Sequence, residues 1–324
     1  MPSISELAHW TPVTLNLNDP VPSIDWCDMR GERFTDPFFD HTVARLVNNG
    51  AGRPVVRTPL GALLELDAAP SLEPSGFVFH IGRCGSTLVG RLLGMLPGVI
   101  AALEPRPINN LLEADPARIN EEMQIQILQL LVRALGRVRF GDEQCLVLKL
   151  SSWNIRKAAL FRRAFPEVPM VWVQRRPVEV IASMLKDPPA WLALRNHPAQ
   201  AARFFGVDPA VVTKVDGFEF AAMLLASMLD AAAESDACII DYDDLPGAVA
   251  DVVAPLFGID IDASGRAMLE EQARYHSKVA GAVPFTDDSE RKRAVPERVK
   301  VVSSSLLDER YSLLNTRRVE QHVR

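Results

Sequence analysis

The chain has 324 residues, 48% of them hydrophobic, with 35 lysines and arginines against 41 aspartates and glutamates, a formal net charge of −6. That length and apolar content suit a large core, as one large domain or two smaller ones. The acidic balance excludes a global attraction for nucleic acid or anionic membrane, so any anion site has to be built locally from a few arginines and backbone N–H groups.

At the N-terminus, MPSISELAHWTPVT lacks a basic start followed by an apolar core, so no secretory signal is visible. Residues 1–75 are rich in Pro and Asp and read as an accessory segment packed on a main domain of residues 76–324. Within it, DPFFDHTVARLVNN reads as a short helix and ALLELD as a strand. From Gly76 short apolar runs alternate with helical stretches. GFVFHI is a continuous apolar run suited to a strand buried on both faces. STLVGRLLGML then has helical spacing through Leu88, Leu92 and Leu96, stopped at Pro97-Gly98.

VIAAL is the next strand, ending at Glu104. A long helix over 118–138 follows, with Ile119, Met123, Ile127, Leu131 and Ala134 near one face. CLVLKL is a strand, NIRKAALFRRAF a helix, VPMVWVQ a strand and PVEVIASML a helix. EFAAMLLASMLDAAAE forms a helix leading into the strand ACIIDY; Asp230 interrupts its apolar run before the ~18 residues a membrane span needs. Cys27, Cys84, Cys145 and Cys238 stand far apart without a CxxC pair, which fits a reduced cytoplasmic setting and neither zinc nor disulfides.

Strand–helix alternation on this scale predicts an α/β fold, a parallel sheet flanked by helices on both faces. Right-handed crossovers make such strands point one way, and ligands bind in the crevice at their C-terminal ends. The residues leaving the strands are Gly82-Arg83, Glu104, Lys149, Arg175 and Tyr242, which places five chemically capable positions at one rim.

The turn after the first of these strands, GRCGSTL, fails three familiar patterns on spacing. A serine-hydrolase elbow needs Gly-x-Ser-x-Gly, and here Ser86 follows Gly85 directly. A phosphatase-type cysteine loop needs five residues between Cys and Arg, and Cys84 to Arg91 has six. A Walker A loop needs a lysine before the hydroxyl residue, and none precedes Ser86. What remains is a short anion cradle at a helix N-terminus, or a plain turn capped by Ser86. In a cradle, Gly82 and Gly85 would let the backbone approach a ligand, Ser86 and Thr87 would add hydroxyl donors, and Arg83 a planar fork.

GRCGSTL is similar to the Pro-Arg-Ser-Gly-Thr-Thr-Leu loop of sulfotransferases, and RRPVEVIAS resembles their Arg-Asn-Pro-Arg-Asp-Val-x-x-Ser signature, with the same eight-residue step from Arg175 to Ser183. FPEVPMVWVQRRP looks like the strand leading into that signature, and IIDYDDL like the Tyr-Glu-Asp-Leu element. The resemblance covers roughly 76–260 and implies a P-loop NTPase-like sulfotransferase fold using 3′-phosphoadenosine 5′-phosphosulfate (PAPS) as donor. It implies that Arg83, Cys84, Gly85, Ser86 and Thr87 hold the phosphosulfate, Arg175 and Ser183 the 3′-phosphate, and that Tyr242 lies beside the adenine. Cys84, Arg176 and Val178 depart from the signatures, and the C-terminal Arg-Lys-Gly loop is missing; RKR at 291–293 is a substitute for it or a solvated basic run.

Sulfuryl transfer needs a base for the acceptor proton and neutralisation of charge on the bridging oxygen. Glu104 lies 21 residues beyond Arg83, much as the general base does in tyrosylprotein sulfotransferases; its competing role is a salt-bridge carboxylate near Arg106. Lys149, resembling the family's Lys-x-Pro lysine but followed by Leu-Ser, and Arg83 would stabilise the leaving phosphate. His80 reads as a packed core histidine, His276 and Ser277 as late contributors, and Trp191 as a lid or surface residue. The expected acceptor is a small molecule or carbohydrate bearing a hydroxyl or amine, with no metal. The alternatives are a nucleotide-dependent small-molecule kinase and a non-catalytic nucleotide-binding relative.

Overall fold

The computed structural model describes residues 7, 10–48, 52–65, 70–275, 284, 292 and 294–322. His276, Ser277, Arg291 and Arg293 lie outside them.

The leader holds a three-stranded antiparallel sheet, β1 (Trp10–Asn16), β2 (Ser23–Asp28) and β3 (Val55–Pro59), in the order β1-β2-β3. None of these strands was expected from the sequence. Pro12, which weakens the strand pattern, sits where the β1–β2 register shifts, a position that tolerates a residue without an N–H. Helix α1 (Phe39–Asn48) matches its expected place. The strand expected at ALLELD is a helix where it is described: Ala62–Glu65 forms the short helix α2, and Leu66 and Asp67 lie outside the described residues. Leu60 N–H ends the sheet pairing on Pro22 O, and Leu63 and Leu64 N–H then turn back onto Leu60 O and Gly61 O.

The main sheet has five parallel strands, β4 (Pro74–His80), β5 (Val99–Leu103), β6 (Cys145–Lys149), β7 (Met170–Gln174) and β8 (Cys238–Asp241), in the order β5-β6-β4-β7-β8. All five stand where the apolar runs placed them. Helices α3 (Ser86–Met95), α4 (Arg106–Leu112), α5 (Glu121–Leu135), α6 (Ala158–Ala164), α7 (Pro177–Lys186), α8 (Pro198–Phe205), α9 (Pro209–Val212) and α10 (Gly217–Glu234) connect them. After β8 come α11 (Ala263–Ala273), α12 (Glu297–Leu306) and α13 (Asp308–His322). The β4-to-β5 crossover runs across the sheet against the other three, so right-handed connections put α3 on one face and the remaining crossover helices on the other. α3 accordingly packs with α11, and α5 with α6.

On α5 the core face is broader than the expected one, which holds at Ile119, Ile127, Leu131 and Ala134 and fails at Met123. Met123 is 41% exposed, while Ile125, Leu128, Val132 and Leu135 join Ile127 and Leu131 inside. Asn120 sets the start by accepting the Met123 N–H at 2.9 Å. Phe77 and Phe79 of β4 meet the Phe161 ring edge-on at 5.1 and 5.5 Å, tying the sheet to α6. The apolar core runs without a break into the leader. Arg137 fastens the leader further by donating to Leu7 O at 2.8 Å and to Trp10 O. No described helix is long and apolar enough to cross a membrane.

Candidate active site

Register brings the strand exits together. Leu103 of β5 pairs with Lys149 of β6, and Glu104 N–H then donates to Lys149 O at 2.6 Å. On the other side of β6, Val78 pairs with Lys149, and Leu150 N–H donates to Val78 O at 2.9 Å. Glu104 therefore emerges beside the end of β6, and His80 ends β4 on the far side of the same lysine.

The turn from β4 to α3 needs left-handed backbone at three positions: Gly82 at φ 90°, Arg83 at φ 55° and Gly85 at φ 81°. A Cβ on Gly85 would also lie 2.8 Å from Leu245 Cδ1 and 3.2 Å from Tyr242 Cδ2, so both conformation and space demand glycine there. Gly85 is the N-cap of α3 and brings no side-chain acceptor, leaving the first-turn N–H groups without a side-chain cap at the helix's positive end. Ser86 and Thr87 follow in that turn, each 4% exposed. Cys84 is fully buried and donates its S–H to Val173 O at 3.2 Å. Burial raises its pKa and keeps the thiol protonated, so it packs the turn and offers no nucleophile.

Glu104 is held by three neighbours. Lys149 Nζ donates to Oε1, and Ser151 Oγ donates to Oε2 at 3.1 Å. Asn109 Nδ2 in turn donates to Ser151 Oγ at 2.9 Å. His80 Nε2 stands 3.7 Å from Oε1. Burial alone would raise the carboxyl's pKa, but the Lys149 charge and the His80 contact outweigh it and hold the group well below the usual carboxylate range. Glu104 sits in left-handed backbone, at φ 54°. Its side chain is 27% exposed against 1% for Lys149. Arg106 pairs with Asp40 at 2.7 Å, not with Glu104.

His80 is locked as a neutral ring. Gly82 N–H donates to Nδ1 at 2.9 Å, which leaves the proton on Nε2, and that atom lies 2.9 Å from Leu150 O. Burial, together with the Lys149 charge, pushes its pKa down to about 4. It is a strut between the glycine turn and the exit of β6.

A cavity of about 840 Å³ joins these parts. Its walls include the turn from Gly82 to Thr87, the polar group His80, Glu104, Lys149, Ser151 and Ser152, and an aromatic group with Trp153, Trp191, Phe204 and Phe205. Trp153 lies 5.6 Å from Phe204 and Trp191 5.9 Å from Phe205, ring centre to ring centre. The leader contributes Asn18 and Phe38, and the Phe38 ring centre is 5.7 Å from Lys149 Nζ. Arg83, also in the lining, pairs with Asp187 Oδ2 at 2.7 Å.

Of the residues expected from the sequence, Arg83 to Thr87, Glu104 and Lys149 line this cavity, and Trp191 does as well. Arg175, Ser183 and Tyr242 are not among its lining residues. Arg175 is 3% exposed, donates from Nε to Glu179 Oε2 at 2.7 Å, and stacks with its Cζ 3.7 Å from the centre of the Tyr242 ring. Tyr242 also meets the turn at Gly85, as noted above, so it touches the loop from behind. Sequence reasoning missed Ser151, Asn109, Phe38 and Asp187. Only Ser151 left a signal: it stands where the proline of Lys-x-Pro would be.

No family model matches the chain, and no curated protein matches it. Among solved structures it is similar to a sulfotransferase domain from the curacin biosynthetic pathway, at 12% identity and a TM-score of 0.44 over 73% of this chain and 98% of that one. It is also similar to a sulfotransferase from Mycobacterium tuberculosis H37Rv, at 16% identity and a TM-score of 0.41 over 76% of this chain and 80% of that one. A sulfotransferase from Alicyclobacillus acidocaldarius matches at 16% identity and a TM-score of 0.34 over 61% and 90% of the two chains. Likenesses this distant carry neither residue roles nor chemistry across to this chain.

Proposed function

We propose that this protein is a PAPS-dependent sulfotransferase that moves a sulfuryl group to the hydroxyl or amine of a small acceptor. The observation that carries the reading is the juxtaposition, in one cavity, of the uncapped glycine turn with its arginine and hydroxyls and of the Glu104–Lys149 pair. The turn suits the phosphosulfate end of the donor: a Cβ at Gly85 would collide with the residues behind it, and the helix end favours an anion. At the nucleoside end the resemblance assigns Arg175, Ser183 and Tyr242, which requires Arg175 to turn from Glu179 toward the 3′-phosphate.

In the reaction the acceptor oxygen attacks sulfur and its proton passes to Glu104. The bond from sulfur to the 5′-phosphate oxygen breaks, and the electron pair leaves with that oxygen, whose charge Lys149 and Arg83 neutralise. Products are the sulfated acceptor and 3′-phosphoadenosine 5′-phosphate (PAP). The buried thiol of Cys84 and the neutral His80 take no proton in this scheme.

The test is a thermal shift with PAP against ATP and magnesium. Stabilisation by PAP supports the reading; stabilisation by ATP and magnesium alone replaces it with a phosphotransferase.

A further inference from the structure

Glu104 and Lys149 are both needed for the proposed transfer, yet as paired they work against each other. A carboxylate beside an ammonium group accepts a proton poorly, because general-base strength follows basicity. The ammonium, 1% exposed and close to the Phe38 ring, has almost no path to solvent, so it changes partner only inside the cavity. The two carboxylate oxygens are also held differently. Oε1 takes Lys149, whereas Oε2 takes Ser151, which Asn109 fixes from behind and whose own N–H donates to Asn154 Oδ1 at 2.8 Å.

Resting on the sulfotransferase reading, we propose that Lys149 changes partner when the donor binds, leaving Glu104 Oε1 for the donor's phosphate oxygens, while Ser151 keeps Oε2. Oε1 then becomes the atom that takes the acceptor's proton, and only in the donor complex. Ser151, backed by Asn109, is the positioning residue that decides which oxygen is freed. Other charged or titratable groups near the pair include His80 from β4, neutral and bonded at both nitrogens, the buried, protonated Cys84 thiol of the turn, Arg83, paired with Asp187, and Arg106, paired with Asp40. A donor anion competes for Lys149 most directly, since it enters through the turn next to it.

Once Lys149 leaves, Glu104 returns toward ordinary carboxylate basicity, so donor-site binding takes up protons. PAP binding is measured by calorimetry at pH 5 in two buffers of different ionisation heat, for the wild type, Glu104→Gln and His80→Asn. The wild type and His80→Asn should take up about a sixth of a proton more than Glu104→Gln, the fraction expected for a carboxyl returning to a pKa of ~4.3. PAP's own ionisation cancels in that difference. Equal proton exchange in the wild type and Glu104→Gln, with PAP bound by both, overturns the proposal alone. PAP binding to neither overturns the sulfotransferase reading first, and the proposal with it. For Ser151, the alanine variant should lose about tenfold in kcat on the best acceptor of a panel of phenols, alcohols and amines, with PAP affinity kept and threonine restoring the rate. An alanine variant with full kcat removes Ser151 from the positioning role.

Discussion

Two ion pairs stand at strand exits of the same sheet and differ in what covers them. At β5 and β6, Glu104 and Lys149 meet with the carboxylate 27% exposed toward the cavity. At β7, Arg175 and Glu179 meet with side chains 4% and 1% exposed, under the Tyr242 ring. α12 packs on α7, which carries Glu179, and α13 packs on β8. An open pair can exchange a partner with a ligand, whereas a sealed pair mostly holds structure, because separating it strands a charge in a medium that cannot solvate it. Under the proposed function, the contrast puts the chemistry on the β5–β6 side and leaves the β7 pair a structural part unless the donor's 3′-phosphate competes for Arg175.

The largest effect is expected at the open pair. Glu104→Gln should lower turnover by about 10²–10⁴-fold while PAP binding persists, measured as sulfuryl transfer from PAPS to the best acceptor of the panel. Full turnover would take the base role from Glu104. Lys149→Met should lower kcat by about 10²–10³-fold, yet leave urea stability unchanged or slightly raised, because the quarter-exposed carboxylate stays solvated when its partner goes.

The sealed pair should answer in the opposite way. Glu179→Ala leaves the Arg175 guanidinium buried without this carboxylate and should cost about 3–5 kcal/mol in urea unfolding. Unchanged stability in Glu179→Ala, as expected for Lys149→Met, would erase the distinction between the two pairs.

A smaller effect separates His80 from the base. Its folded pKa of about 4 lies below the unfolded value near ~6.5, so between these limits the unfolded chain binds more protons and stability falls as the pH drops. Loss of about 2–3 kcal/mol from pH 7 to pH 4 is expected from this residue, and His80→Asn should remove that part of the slope. An unchanged slope in the variant would mean that the ring is not held neutral. The smallest effect is at Cys84, whose thiol only packs the turn: Cys84→Ser should leave PAP affinity within about twofold in the same calorimetry.

The five parallel strands were legible because each is an apolar run with few other options, and their exits named Arg83, Glu104 and Lys149 before any packing was known. The leader strands were not. Pro12 breaks the β1 pattern, and antiparallel partners as far apart as Cys27 and Val55 leave no local trace. ALLELD carried the composition of a strand, yet Ala62–Glu65 turns into a helix directly after β3, with Leu63 and Leu64 N–H bonded back to Leu60 O and Gly61 O.

What the sequence determined by itself is the order of strands and helices through the parallel sheet and the glycine turn, since apolar periodicity and left-handed backbone needs are local properties. What only the tertiary structure decided is which strand exits share a cavity. Sheet order and register put Glu104, Lys149, His80 and Ser151 around one point, brought Phe38 in from the leader, and turned Arg175 inward to Glu179. Residues 45 apart, as Glu104 and Lys149 are, become partners only when parallel strands align them, and no spacing rule along the chain encodes that alignment.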